Sequence, residues 1–185
     1  MKQMELIRHI STFDNFRVVK FRNKLKEQSF SLSELVDITF HADPKISLKA
    51  SKILQYIVFR SPASYADEIG YLVQHVGDVA CGPCKKHYAK ILVHLTSPEI
   101  SRSIREKMKD IEFDQIAELC FKWMRDAKMN TYVRCYASET LFNLRHRYPW
   151  IAEALSHDLE AIAPKASPLL KSKADFILSY LHPED

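Results

Sequence analysis

A helical repeat is first recognisable in Ser47-Leu-Lys-Ala-Ser-Lys-Ile-Leu-Gln-Tyr-Ile57. Its apolar side chains follow the i, i+3, i+4, i+7 spacing of a helix with one buried stripe. Three later segments align with it without gaps, namely Lys85–Leu95, Arg134–Leu144 and Lys171–Leu181. The leucines that all four share are Leu54, Leu92, Leu141 and Leu178, at intervals of 38, 49 and 37 residues. The alignment predicts four repeated helices with these leucines in the core.

A second amphipathic segment precedes each aligned helix, so we name the preceding helix A and the aligned helix B. The predicted A helices are Ser31–Ala42, Ala63–Val76, Phe113–Arg125 and Trp150–Ile162. Prolines open the B helices or follow their ends, at Pro44, Pro62, Pro83, Pro98, Pro149, Pro164 or Pro168, and Pro183. Proline is tolerated in the first turn of a helix and cannot continue one, so this placement predicts helix pairs. The segment Glu99–Asp110 predicts an additional short helix.

Glycine is scarce, with only 3 in 185 residues. This scarcity excludes the dinucleotide-binding fingerprint and the phosphate-binding loop, because both need glycines at fixed spacing. It also disfavours the tight turns of β-hairpins. We therefore expect an all-α chain that forms a single domain overall, with an N-terminal helical cap at 1–29 and repeats at 30–185.

Two stretches carry a resemblance to a known family. They are Asp43-Pro44-Lys45-Ile46-Ser47-x-x-Ala50 and Val133-Arg134-x-x-Ala137-x-x-x-Leu141-x-x-Leu144. Together they resemble the HEAT repeat, an armadillo-like family, over roughly residues 31–182. The chain departs from the family pattern at Ser47, which replaces an arginine, and at Tyr88, which replaces a small residue. The resemblance implies a right-handed α-α superhelix, a HEAT-like helix-pair solenoid of about four units, that binds other macromolecules. An irregular helical bundle is the alternative.

Charge is segregated between the two kinds of helix. The B segments hold 13 basic and 2 acidic residues, whereas the A segments hold 3 basic and 13 acidic residues. The family resemblance implies that B helices line a concave face, so that face is expected to be positive. The predicted partner-binding residues are Lys49, Lys52, Tyr56, Arg60, His87, Lys90, His94 and Lys173.

Such a face favours an acidic protein partner, and nucleic acid is the alternative. The lysines could instead face acidic residues of neighbouring A helices, or remain solvated. The leading interpretation is a non-enzymatic binding scaffold. The alternative is a DNA-binding or DNA-repair protein resembling the HEAT-like alkylpurine DNA glycosylases, which use an aspartate among tryptophans. Here Trp123 falls on an apolar stripe, which predicts core packing, and neither Asp126 nor Trp150 matches the catalytic set.

The motif Cys81-Gly82-Pro83-Cys84 has the letters of the thioredoxin active site. Those sites follow a β-strand, and no strand pattern precedes this one. The motif therefore predicts an ordinary helix start, with a reversible disulfide or a zinc site with His75 or His87 as alternatives. The pairs Asp37/His41 and His157/Asp158 are too small to predict a metal site, and we expect no metal or cofactor.

The compartment is also predicted from composition. The first residues are interrupted by charge and lack the apolar core of a signal peptide, and no stretch is apolar enough to span a bilayer. We expect a cytoplasmic protein with no membrane partner and four reduced cysteines.

Overall fold

The computed structural model describes residues 2–12 and 30–182. This part of the chain contains ten α-helices and no β-strand. The helices are α1 Lys2–Ser11, α2 Leu32–Ile38, α3 Pro44–Arg60, α4 Ile69–Gln74, α5 Gly82–Thr96, α6 Arg102–Lys109, α7 Asp114–Arg125, α8 Thr131–Leu144, α9 Trp150–Ile162 and α10 Pro168–Leu181. The all-α prediction is confirmed. Within the predicted cap at 1–29, residues 1 and 13–29 lie outside the described residues, as does Pro183.

Local hydrogen bonds explain where several helices begin. Ser31 and Glu34 form a capping box at α2, in which each side chain accepts the backbone N–H of the other residue. Asp43 accepts the N–H of Lys45 at 2.8 Å before α3, and Asn130 accepts the N–H of Tyr132 at 2.9 Å before α8. These side chains satisfy N–H groups that have no partner inside the helix.

The A helix predicted at 63–76 is wrong in its first half. That half is a 3₁₀ segment, Pro62–Glu68, in which Tyr65 leaves the helical region with φ −129° and ψ 19°. A contact with α2 accounts for the difference. The Glu68 carboxylate accepts the N–H and hydroxyl of Ser33 at 2.9 and 3.1 Å, which ties this segment to the first turn of α2.

The chain divides into two compact units, and the division falls within α5. The first unit comprises residues 1–91 and 101–111, and the second comprises residues 92–100 and 112–185. In the first unit α1 packs on α2 and α3, α2 packs on α3 and α4, and α6 packs on the segment Pro62–Glu68. In the second unit α8 packs on α7, α9 and α10, and α9 also packs on α7 and α10.

Helices of the same kind run in the same direction inside each unit, as the order of their contacts shows. Along the B helices α3 and α5, Ser47 meets Cys84 and Gln55 meets His87. Along the A helices α7 and α9, Phe121 stacks on Trp150 and Arg125 binds Asp158. The same rising order relates α8 to α10, through the contacts Glu139–Lys173 and Phe142–Tyr180.

The four shared leucines test the repeat alignment. Leu54, Leu92 and Leu141 are fully buried, as predicted. Leu178 is only half-buried, on a helix that contacts α8, α9 and the 3₁₀ turn Ala163–Lys165. The extra helix predicted at Glu99–Asp110 is confirmed as α6. Among the described residues, no helix combines the length and apolar character needed to cross a bilayer.

Candidate binding face on helices α3 and α5

The candidate face lies on the two B helices of the first unit. Neither α3 nor α5 contains an aspartate or glutamate, and both carry lysines. A hydrogen bond of 2.7 Å joins His87 Nδ1 on α5 to Gln55 Oε1 on α3. A carbonyl oxygen can only accept, so the proton is assigned to His87 Nδ1. This bond brings the lysines of the two helices around one imidazole.

Burial and three nearby ammonium groups keep the His87 side chain neutral. The pKa of His87 is lowered to about 4, first by burial and then by the charges of Lys52, Lys86 and Lys90. Every one of these influences disfavours a further positive charge. His87 is therefore neutral at neutral pH and reports a positive potential. We name Lys52, Lys86, His87 and Lys90 the basic cluster.

Aromatic rings lie beside two of the cations on this face. Lys90 Nζ is 5.6 Å from the centroid of the Phe59 ring. Arg60 Cζ is 5.9 Å from the centroid of the Tyr56 ring on the same helix. Both distances fall within the range of cation–π attraction. Lys52 and Arg60 are exposed, whereas Tyr56, His87 and Lys90 are half-buried. The structure therefore brings the predicted residues of the first unit, apart from Lys49, to neighbouring positions.

Lys49 has a structural partner. Its Nζ donates to the carbonyl oxygen of Ser11 at 2.7 Å, at the C-terminal end of α1. A cation at this end stabilises the carbonyl groups that have no partner in the helix. Lys49 therefore anchors α1 on α3.

Two predicted residues belong to the second unit. Lys173 on α10 forms an ion pair with Glu139 on α8, with Nζ and Oε2 2.8 Å apart. The partner of Lys173 is thus on a B helix, not on an acidic A helix. His94 is half-buried, and burial lowers its pKa. The ammonium group of Lys173 is therefore already paired with a carboxylate.

The thiol motif has the geometry of a helix start, as predicted. The Cys81 carbonyl accepts the N–H groups of Cys84 and Lys85 at 3.0 and 3.2 Å. All four cysteines are free thiols. In residues 2–12 and 30–182, no group of three His, Cys, Asp or Glu side chains could hold a metal ion.

The other suggested metal residues have separate partners. His75 contacts Asp78, His41 accepts the N–H of Asp43, and Asp37 accepts the Tyr71 hydroxyl. In the second pair, Arg125 binds Asp158 at 2.6 Å, and the exposed His157 lies 3.8 Å from the same carboxylate.

The residues considered for a glycosylase-like site do not converge. Trp123 is buried in the second unit, which confirms its predicted place in the core. Trp150 is half-exposed and stacks on Phe121, with ring centroids 5.7 Å apart. Asp126 is exposed, and its carboxylate accepts the N–H of Lys128.

Sequence reasoning missed Gln55, Phe59 and Lys86 as members of this face. Gln55 and Phe59 lie one residue away from the predicted row on α3, and Lys86 precedes His87. Only the pairing of α3 with α5 shows their contribution.

Comparison of the chain with protein-family models, curated proteins and solved structures finds no match in any of the three.

Proposed function

We propose that the chain is a non-enzymatic helical-repeat scaffold whose α3/α5 face binds an acidic segment of a partner protein. The observation that carries the proposal is the basic cluster. Burial, and after it the charges of three lysines, lower the pKa of His87 to about 4, and neither helix contains an aspartate or glutamate. The charges of Lys52 and Lys90 act on the same imidazole and repel one another, so an anionic ligand relieves that repulsion.

The repeat architecture is part of the same proposal. In a stack of HEAT-like helix pairs, each A helix packs on its own B helix and helices of the same kind run parallel. The contacts within each unit agree with this pattern, for example α7 on α8, and α8 beside a parallel α10. An up-and-down bundle would make neighbouring helices antiparallel. We extend the pattern to a right-handed α-α superhelix in a cytoplasmic protein.

The aromatic rings of this face already have cations beside them, which favours a protein partner over nucleic acid. Arg60 lies over Tyr56 and Lys90 lies over Phe59, so cations already occupy positions beside both rings. Single-stranded nucleic acids gain affinity by stacking bases on aromatic side chains. The sequence pI of about 8.8 is also below the range above 9 that is typical of nucleic-acid-binding domains.

Defined anions provide the test. The full chain is titrated into fluorescent poly-glutamate and, separately, into a single-stranded oligonucleotide of similar net charge. The double variant Lys52→Gln/Lys90→Gln should weaken poly-glutamate binding about tenfold, because it removes two cation contacts. The control Lys122→Gln/Lys128→Gln removes the same charge from exposed positions of the second unit. Equal weakening by the two variants would show that net charge, not this face, attracts the ligand.

The natural partner is then sought by affinity pull-down with and without nuclease. Retention of a protein after nuclease treatment, and its loss in the Lys52→Gln/Lys90→Gln variant, supports the proposal. If instead the chain binds only the oligonucleotide and nuclease abolishes capture, the face is a nucleic-acid site and the proposal is wrong.

A further inference from the structure

The first turn of α5 holds two thiols in unequal surroundings. Cys81 immediately precedes the helix, and its carbonyl accepts the N–H of Cys84. The Cys81 and Cys84 side chains are hydrogen-bonded to each other, so their two sulfur atoms are neighbours. Cys84 has no exposed surface, whereas Cys81 is only half-buried. A dissolved reagent therefore meets Cys81 first.

Cys84 contacts a buried hydroxyl on the neighbouring helix. Cys84 Sγ is 3.1 Å from Ser47 Oγ on α3. The Ser47 hydroxyl donates its one proton to the carbonyl of Thr39. Ser47 must then accept from the Cys84 S–H, which gives a chain of hydrogen bonds from Cys84 through Ser47 to Thr39.

Tyr88 reinforces the same contact one turn further along α5. Its hydroxyl is 2.6 Å from Thr39 Oγ1, which itself donates to the carbonyl of Val36. Tyr88 therefore donates to Thr39, and both side chains are buried. The hydrogen bonds of Cys84 and Tyr88 thus connect the first two turns of α5 to the end of α2 and the start of α3.

We propose that Cys81 and Cys84 form a site of thiol–disulfide exchange that reacts with low-molecular-weight disulfides such as oxidised glutathione and closes to an intrachain disulfide. This inference goes beyond the proposed binding function and does not depend on it. It assigns a modification site, not a catalytic one, because it requires only one reaction of each chain with the dissolved disulfide.

The exchange proceeds in two balanced steps. The Cys81 thiolate attacks one sulfur of the small disulfide, and the S–S bond breaks to release one thiolate. The Cys84 thiolate then attacks Cys81 Sγ in the mixed disulfide and expels the second small thiolate. The two protons lost by the cysteines go to the two released thiolates. One protein disulfide has formed, and one small disulfide has been reduced to two thiols.

Burial determines which of the two cysteines reacts first with the dissolved disulfide. The pKa of Cys84 is raised, first by burial and then by its hydrogen bond with the Cys81 side chain. A buried thiol that keeps its proton is a poor first nucleophile. Once Cys81 carries the mixed disulfide, the second step is intramolecular and needs no access from solvent.

The test uses the full chain in buffers of stepped reduced-to-oxidised glutathione ratio. Thiols are then trapped by alkylation, and the products are identified by mass spectrometry after digestion. The expected product lacks two hydrogen atoms, joins Cys81 to Cys84 and is reversed by dithiothreitol. Cys84→Ser should stop at one glutathione on Cys81, and Cys81→Ser should acquire none at the motif. A variant with Cys120 and Cys135 replaced by Ser is the matched control, because both thiols are buried elsewhere. It should form the same disulfide.

A variant of the hydrogen-bond partner tests whether the surroundings matter. Ser47→Ala removes the acceptor of the Cys84 S–H, which should destabilise the dithiol and raise the disulfide-to-dithiol ratio about threefold at a given glutathione ratio. Circular dichroism shows whether each variant stays helical, and Cys84→Ala replaces Cys84→Ser if that variant unfolds. The proposal is overturned if the wild-type chain keeps a mixed disulfide without closing. It also fails if Cys81→Ser takes up glutathione on Cys84 at the wild-type rate.

Discussion

The neutral state of His87 predicts a loss of stability in mild acid. In the folded chain its pKa is lowered to about 4, first by burial and then by Lys52 on α3 and by Lys86 and Lys90 on its own helix. In the unfolded chain it returns to about 6.5. Between these values the unfolded chain binds more protons than the folded chain, so the free energy of unfolding falls as the pH is lowered. This contribution is fully present above the unfolded pKa and is lost as the pH falls through that window.

The size of the effect follows from the shift. Two-state linkage between about pH 7 and about pH 5 gives a ceiling of about 2 kcal/mol for a pKa that drops from about 6.5 to about 4. His87 is only half-buried, so solvent screens part of the lysine field. We therefore expect about 1 kcal/mol of stability to be lost over this interval because of His87.

Urea unfolding at the two pH values measures the effect against two variants. His87→Gln cannot titrate, so it should lose less stability on acidification than the wild-type chain, by about 1 kcal/mol. His146→Gln, at an exposed position, should behave like the wild-type chain. An NMR titration of the His87 Cε1–H signal reports the pKa itself, and Lys52→Gln/Lys90→Gln should raise it. If the His87 signal titrates at its ordinary value, neither its burial nor the field of the basic cluster is as the structure shows.

Three further outcomes are expected. Among the shared leucines, Leu54, Leu92 and Leu141 are fully buried. Replacing one of them by alanine should lower the free energy of unfolding, measured by chemical denaturation, by about 2–5 kcal/mol, and Leu178→Ala should lower it less because Leu178 is half-buried. A turbidimetric insulin assay should find no insulin reduction at a rate comparable with that of a thioredoxin, because Cys81 does not follow a β-strand. Turnover at a thioredoxin-like rate would contradict this. A double-mutant cycle on Lys173 and Glu139 should give a coupling of about 0.5–1 kcal/mol, because both side chains are partly exposed; zero coupling would count against the ion pair.

The repeat and most helix starts are predictable from the sequence because their causes are local. Asp43 and Asn130 cap helices through N–H groups two residues away, and Pro44 sits where a missing N–H has no cost. The A helix expected at 63–76 shows the limit of local reasoning. Its first half is held as a 3₁₀ segment while Glu68 binds Ser33, which is 35 residues away in the chain.

The binding face is less predictable because side-chain partners come from distant positions. Lys49 and Lys173 lie in the aligned B segments, as Lys52 and Lys90 do. The first two are nevertheless engaged, by the Ser11 carbonyl 38 residues away and by Glu139 34 residues away. Helical periodicity tells which face a lysine lies on, but it does not tell which acceptor reaches its ammonium group.

The two proposed sites share the helix pair α3/α5 and use different chemical groups. Ser47 meets Cys84 near the start of both helices, whereas Gln55 meets His87 further along. Ser47 and Gln55 are eight residues apart in α3, about 12 Å along its axis, whereas Cys84 and His87 are three residues apart in α5, about 4.5 Å. The disulfide depends on the thiols and the hydroxyl of Ser47, and the binding face depends on ammonium groups. A chain that binds no acidic ligand could therefore still close the disulfide, and a chain that resists oxidation could still bind its partner.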